Sequence, residues 1–209
     1  VEEGINVQMD SSWPRIMEKL DVWVNHCLSP GGWRSADTAI WFPIMGAQEL
    51  LAKFPRFGQG SCLKRMSTLI EQVNGPTTLG LKITGSNGKG STCAMAAQIL
   101  EAHGLQTGLY TSPHLFRMHE RIQINGVSIP NEDLERWLGS VEGHCDQIAP
   151  GSFGRFEVLT AVAQGWFTEQ GVNAIVWEAG IGGHLDATRV LACQAAVLVN
   201  VSLEHTAIL

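Results

Sequence analysis

The sequence has no run of lysine or arginine, no C-x-x-C pair and no apolar stretch long enough to span a membrane. Each absence removes a class of function. With 14 Lys and Arg against 20 Asp and Glu, a net charge of -6 and scattered basic residues, the chain offers no track for a phosphodiester backbone, and a nucleic-acid partner is not expected. The five cysteines (Cys27, Cys62, Cys93, Cys145 and Cys193) lie far apart and are odd in number. They read as reduced thiols of a cytoplasmic protein, small buried side chains rather than metal ligands. The missing membrane-length run and the acidic start VEEGINVQMDSSWPR argue against an anchor or signal peptide and lead us to expect a soluble protein. What is present is a good core: 44% of the 209 residues are hydrophobic.

Apolar spacing predicts a helix over residues 12–28, with Ser12 as cap and Pro14 in its first turn. The following stretch, rich in Gly, Pro and Trp, reads as an irregular insertion; Trp33 and Trp41 serve there as packing anchors or as stacking surfaces for a ligand. Helical patterns cover 46–54 and 62–75, the latter stopping at Asn74-Gly75. From there strands and helices alternate. A strand enters the turn at Gly85, TGLYTS is a second strand, and RIQINGVSIP is a hairpin about Asn125-Gly126. Helices follow at 131–148 and 156–170, and VNAIVWEAGIGG and QAAVLVNVSLEH read as buried strands. The alternation predicts an α/β, doubly wound, mostly parallel sheet with ligands at the carboxyl ends of its strands.

The stretch LKITGSNGKGSTCAM is the strongest local signal. Gly85, Gly88 and Gly90 let successive N–H groups of Ser86 to Thr92 converge on one anion at the start of a helix. Lys89 would reach the β- and γ-phosphates of ATP, and the hydroxyl of Ser91 or Thr92 would face Mg²⁺. Because Gly90 separates the lysine from the first hydroxyl, the spacing departs from G-x-x-x-x-G-K-[ST]. The alternative is an ordinary Gly-rich turn that binds nothing.

Other strand ends bring chemistry to the same edge: Thr111, Ser112 and His114, then Glu178 before its glycines, then Glu204 with His205. Each has a plainer reading. Ser112 would cap a helix beginning at Pro113, Glu178 would sit in a structural salt bridge, and His205 would be a hydrogen-bonded histidine. A carboxylate ending the buried run AIVW is costly without a cation or donors, which favours a site.

GSNGKGST, TSPHLFRMHERIQING, FEVLTAVAQGWF, EAGIGGHLDATR and NVSLEHT, in this order, resemble the folylpolyglutamate synthase and dihydrofolate synthase family within the muramyl-ligase superfamily, from about Leu63 to the last residue. The resemblance implies an ATP-dependent ligase with Mg²⁺ that joins L-glutamate to dihydropteroate or a folate through an acyl phosphate. It implies a phosphate role for Gly85, Ser86, Asn87, Gly88, Lys89, Gly90, Ser91 and Thr92, a metal role for Ser91, Ser112, Glu178 and His205, and a substrate-facing role for Asp186, Ala187 and His114. Lys89, Glu178 and His205 would then carry the chemistry, while Glu157 lines the site wall.

Three positions depart from the family pattern: His184 stands for arginine, Arg189 for asparagine and Glu204 for aspartate. The resemblance further implies that residues 63–209 are the amino-terminal ATP-binding part of such an enzyme, truncated before a carbamylated lysine and a carboxy-terminal domain. Residues 1–62 are expected to form a separate helical and irregular segment, whose insertion over 26–60 would be a lid or a passive surface loop. A monomer acting on small molecules is expected. The readings left beside it are a non-catalytic ATP- or pterin-binding module, a ligase for a different carboxylate, and a small-alcohol phosphotransferase.

Overall fold

The buried run AIVWE organises the molecule. In the structure, a computed structural model that describes residues 45–60, 63–73 and 79–203, this run is strand β5 (Ala174–Glu178), buried along its whole length. It lies between two parallel partners, β1 (Leu79–Thr84) and β2 (Thr107–Tyr110). On the far side of β1 runs β6 (Ala195–Leu198), also parallel. The hairpin β3 (Ile122–Ile124) and β4 (Val127–Ser128) adds an antiparallel ribbon beyond β2, giving the order β4-β3-β2-β5-β1-β6. Asn125 (φ 48°) and Gly126 (φ 74°) close that hairpin with the two positive φ angles a two-residue turn of matching twist requires.

Side chains of β5 alternate between two cores, as the period of a strand dictates. Ile175 and Trp177 join Tyr110 and the helices α4 (Asn131–Ile148) and α5 (Arg155–Glu169), while Val176 faces Ile83, Leu109, Cys93 and Ala97. The last two belong to α3 (Lys89–Ala102) on the opposite face, so the sheet is covered on both sides as expected. Trp177 meets Tyr110 and Phe167 edge-on at 5.6 and 5.7 Å. Helix α5 is buried from Val158 to Phe167 because the sheet takes one side and α4 the other. Helices α1 (Met45–Ala52) and α2 (Leu63–Gln72) pack against α4.

Two sequence expectations need correction. QAAVLVNVSLEH reads as a buried strand, yet all four residues of β6 are exposed, because β6 pairs with β1 alone among the described strands. No helix starts at Pro113; a 3₁₀ turn begins at Met118, so Ser112 is not a helix cap. The helix expected over 12–28, Trp33, Trp41, Glu204 and His205 lie outside the described residues. Cys93 and Cys145 are buried free thiols and Cys193 is half-buried. No helix among the described residues is long and apolar enough to cross a membrane.

Candidate functional site

The parallel register aligns the carboxyl ends of β1, β2, β5 and β6, and the chain departs from each end with a polar group. After β1 comes the Gly-rich turn. Gly88, the residue before α3, has φ 79°, a left-handed conformation open to glycine at little cost, and it swings the chain into the helix. The first N–H groups of α3 have no partner within the helix, so they face outward with the positive end of its dipole. Thr92 donates its hydroxyl to the Gly88 carbonyl at 2.8 Å, whereas Ser91 is exposed. Of the two hydroxyls, then, Ser91 is the one available to a ligand.

Lys89 does not point into solvent. Its ammonium folds back over the turn and donates to the carbonyls of Gly85 at 2.6 Å and Ser86 at 3.0 Å. A lysine in such a turn would be expected to face solvent until a phosphate arrives, but here two carbonyls of the tight turn attract the nearest cation.

Glu178 ends β5, only 4% exposed, beside Ile83 of β1. Its Oε2 accepts the Ser112 N–H at 2.8 Å, so the ends of β2 and β5 are joined through this carboxylate. A Cβ added to Gly90 would stand 3.6 Å from both carboxylate oxygens, which places Glu178 against the first turn of α3. Among the described residues it is in no salt bridge. Burial pushes its pKa up, against the Ser112 N–H and the charges of Lys89 and Arg121, which pull it down. A buried carboxylate with one donor, set against the first turn of α3, suits a hard divalent cation.

The remaining candidates surround this centre. His114 is exposed and its Nδ1 accepts from Arg121 Nε at 2.9 Å; burial of the ring and the Arg121 charge lower its pKa. Asp186 is buried, with Oδ2 taking the N–H groups of Gly180 at 2.9 Å and Ile181 at 3.1 Å. Its Oδ1 takes the N–H and hydroxyl of Thr188 at 2.9 and 2.6 Å. It therefore shapes the turn after β5, and Ala187 beside it packs into the core. Glu157 caps α5 through the Gly154 N–H at 2.7 Å and pairs with Arg65 at 2.9 Å, a brace between α2 and α5. The departing residues His184 and Arg189 meet each other: the Arg189 guanidinium contacts the His184 ring and donates to its carbonyl at 3.0 Å.

Two residues of consequence escaped the sequence reading. Glu120 gathers the N–H groups of Leu115, Phe116 and Arg117 at 2.8, 3.1 and 2.7 Å and so fixes the loop after Ser112. Burial opposes its ionisation, but those donors outweigh it and hold its pKa low. Asn200, just beyond β6, bonds to the Gly-rich turn. Its position at the end of a strand, inside NVSLEHT, was the available signal.

No protein-family model matches the chain. The chain is similar to the folylpolyglutamate synthase of Lacticaseibacillus casei, 36% identical over 162 residues, 75% of this chain and 38% of that protein. It is also similar to the dihydrofolate synthase/folylpolyglutamate synthase of Buchnera aphidicola subsp. Schizaphis graminum, 36% identical over 127 residues, 61% of this chain and 30% of that protein. A solved structure described as an FPGS-AMPPCP-folate complex superposes with a TM-score of 0.73 at 34% identity, covering 80% of this chain and 42% of the other. The chain thus spans less than half the length of these relatives.

Proposed function

We propose, from the premise that the chain belongs to the folylpolyglutamate synthase and dihydrofolate synthase family and spans part of its members' length, that it is the ATP-binding portion of a glutamate ligase. The observation that carries the reading is Glu178, a buried carboxylate set against the first turn of α3, beside Lys89 and bonded to Ser112. The relative bound to AMPPCP and folate supports a nucleotide and a folate-like acid on this edge.

In this reading the outward N–H groups at the start of α3 hold triphosphate oxygens, and Lys89 exchanges the carbonyls of Gly85 and Ser86 for the phosphates. Ser91, Ser112 and Glu178 would hold Mg²⁺, with His205 a fourth candidate that lies outside the described residues. When bound, the ion neutralises phosphate charge and orients the transferring group. Glu178 would ligate in its ionised form, which the ion's charge would favour over the protonated form that burial promotes.

The γ-phosphoryl group passes to the carboxylate of dihydropteroate or a folate, and the amine of L-glutamate then displaces phosphate to form the amide. The chain's contribution is position and charge rather than a covalent nucleophile. Asp186, Ala187 and His114 would face the acceptor, Asp186 through the turn it shapes. The protein would work in the cytoplasm on small molecules.

ADP release by the chain with Mg-ATP, with and without acceptor and L-glutamate together, tests the proposal. Release that needs both co-substrates is the expected result for a complete ligase. Mg-ATP binding without release would assign to this chain the nucleotide site alone, and an acceptor panel would separate dihydropteroate from folates and from other carboxylates.

A further inference from the structure

The Gly-rich turn is clasped from outside its own motif. The Asn87 N–H donates to Oδ1 of Asn200 at 2.9 Å, and Nδ2 of Asn200 donates back to the Asn87 carbonyl at 3.1 Å. The Ser86 N–H donates to the main-chain carbonyl of Asn200 at 3.1 Å. Two residues on, the Ser202 N–H donates to Oγ of Ser86 at 2.9 Å, and that hydroxyl reaches the Ser202 carbonyl at 3.2 Å. The chain after β6 therefore lies along the turn, so close that a Cβ on Gly85 would come within 2.9 Å of the Asn200 carbonyl oxygen.

This clasp has a chemical consequence. The N–H groups of Ser86 and Asn87 are already engaged, so the donors left to an anion begin after them, at Gly88 and the first turn of α3. We infer that Asn200 is a positioning residue for the phosphate turn: its side-chain amide, paired with both backbone groups of Asn87, preforms the turn and selects which N–H groups meet the triphosphate. The inference deepens the proposed nucleotide role and rests on it.

The bonds between Asn87 and Asn200 are exposed to solvent, so they add little to global stability. They do remove conformational freedom from a turn that must otherwise be ordered when the ligand arrives, and that ordering weakens binding. A residue that merely holds the fold together would show the opposite balance.

The test is Mg-ATP titration of the unaltered chain, Asn200→Ala and Asn200→Asp, each with a thermal scan and amide exchange at Asn87. Asn200→Ala is expected to weaken Mg-ATP binding about tenfold, the cost of ordering the freed turn as the ligand arrives, with an unchanged melting midpoint and faster exchange at Asn87. Asn200→Asp keeps the shape and the acceptor but sets a negative oxygen against the Asn87 carbonyl and the phosphates. It should bind more weakly than Asn200→Ala, by a margin that shrinks as salt rises. Folded Asn200→Ala and Asn200→Asp chains that bind Mg-ATP as tightly as the unaltered chain would overturn the inference alone. Failure of the unaltered chain to bind Mg-ATP would overturn the nucleotide reading and this inference with it.

Discussion

Lys89→Met separates the two states that the lysine occupies. In the free chain the ammonium donates to Gly85 and Ser86, at 2.6 and 3.0 Å, and leaving them costs about 1 kcal/mol each. In the bound state a unit charge about 4 Å from a phosphate charge gains about 4 kcal/mol at an effective dielectric constant of about 20. The difference, about 2 kcal/mol, corresponds to roughly a 30-fold loss of Mg-ATP affinity in Lys89→Met. The same variant leaves two crowded carbonyls without their cation, so the ligand-free chain should melt a few degrees lower. Isothermal titration and a thermal scan read both numbers. Unchanged affinity would refute the phosphate assignment. A loss near 1000-fold with an unchanged melting midpoint would refute the folded-back ammonium, because nothing would then oppose its reaching the ligand.

Three further substitutions probe the rest of the edge. Burial raises the pKa of Glu178, so its ionised form destabilises the metal-free chain at neutral pH, and that contribution is lost as pH falls through the raised value and is gone below the ordinary glutamate range. Glu178→Gln should therefore melt higher than the unaltered chain at neutral pH and above, lose that advantage as pH falls below the ordinary glutamate value of about 4.3, and show little gain from Mg²⁺; a parallel pH dependence of the two chains would contradict the burial argument. Gly90→Ala places a methyl 3.6 Å from both Glu178 oxygens, an ordinary contact that the fold accommodates. It intrudes on the space before the carboxylate, so the Mg²⁺ needed for half-maximal nucleotide binding should rise roughly tenfold, and an unchanged requirement would place the ion elsewhere. Asp186→Asn turns amide hydrogens toward N–H groups that Asp186 now receives, and should cost about 2–4 kcal/mol in urea unfolding; a loss below about 1 kcal/mol would show that the four bonds do not act together.

Much of this architecture was legible because strong local signals agreed. The Asn125-Gly126 turn and the helix from Asn131 to Ile148 follow from residue chemistry alone, and the structure places them there. What stayed hidden depends on partners distant in sequence. Nothing in KGST distinguishes a lysine aimed at solvent from one folded onto its own carbonyls, and the apolar run AAVL does not reveal that it lies at an edge. Glu120 and Asn200 escaped because each acts on backbone N–H groups, which carry no sequence signature. Asp186 sits in the expected motif, but its four bonds to neighbouring N–H and hydroxyl groups emerge only from the path of the turn.

The central claim is that the edge formed by Lys89, Ser91, Ser112 and Glu178 holds a metal-bound triphosphate. Calorimetric titration of ATP into the chain, with Mg²⁺ and again with a chelator, tests it most directly. The account predicts one site whose affinity depends on Mg²⁺ and falls in both Lys89→Met and Glu178→Gln. Binding that is indifferent to Mg²⁺, or equal in all three chains, would contradict it.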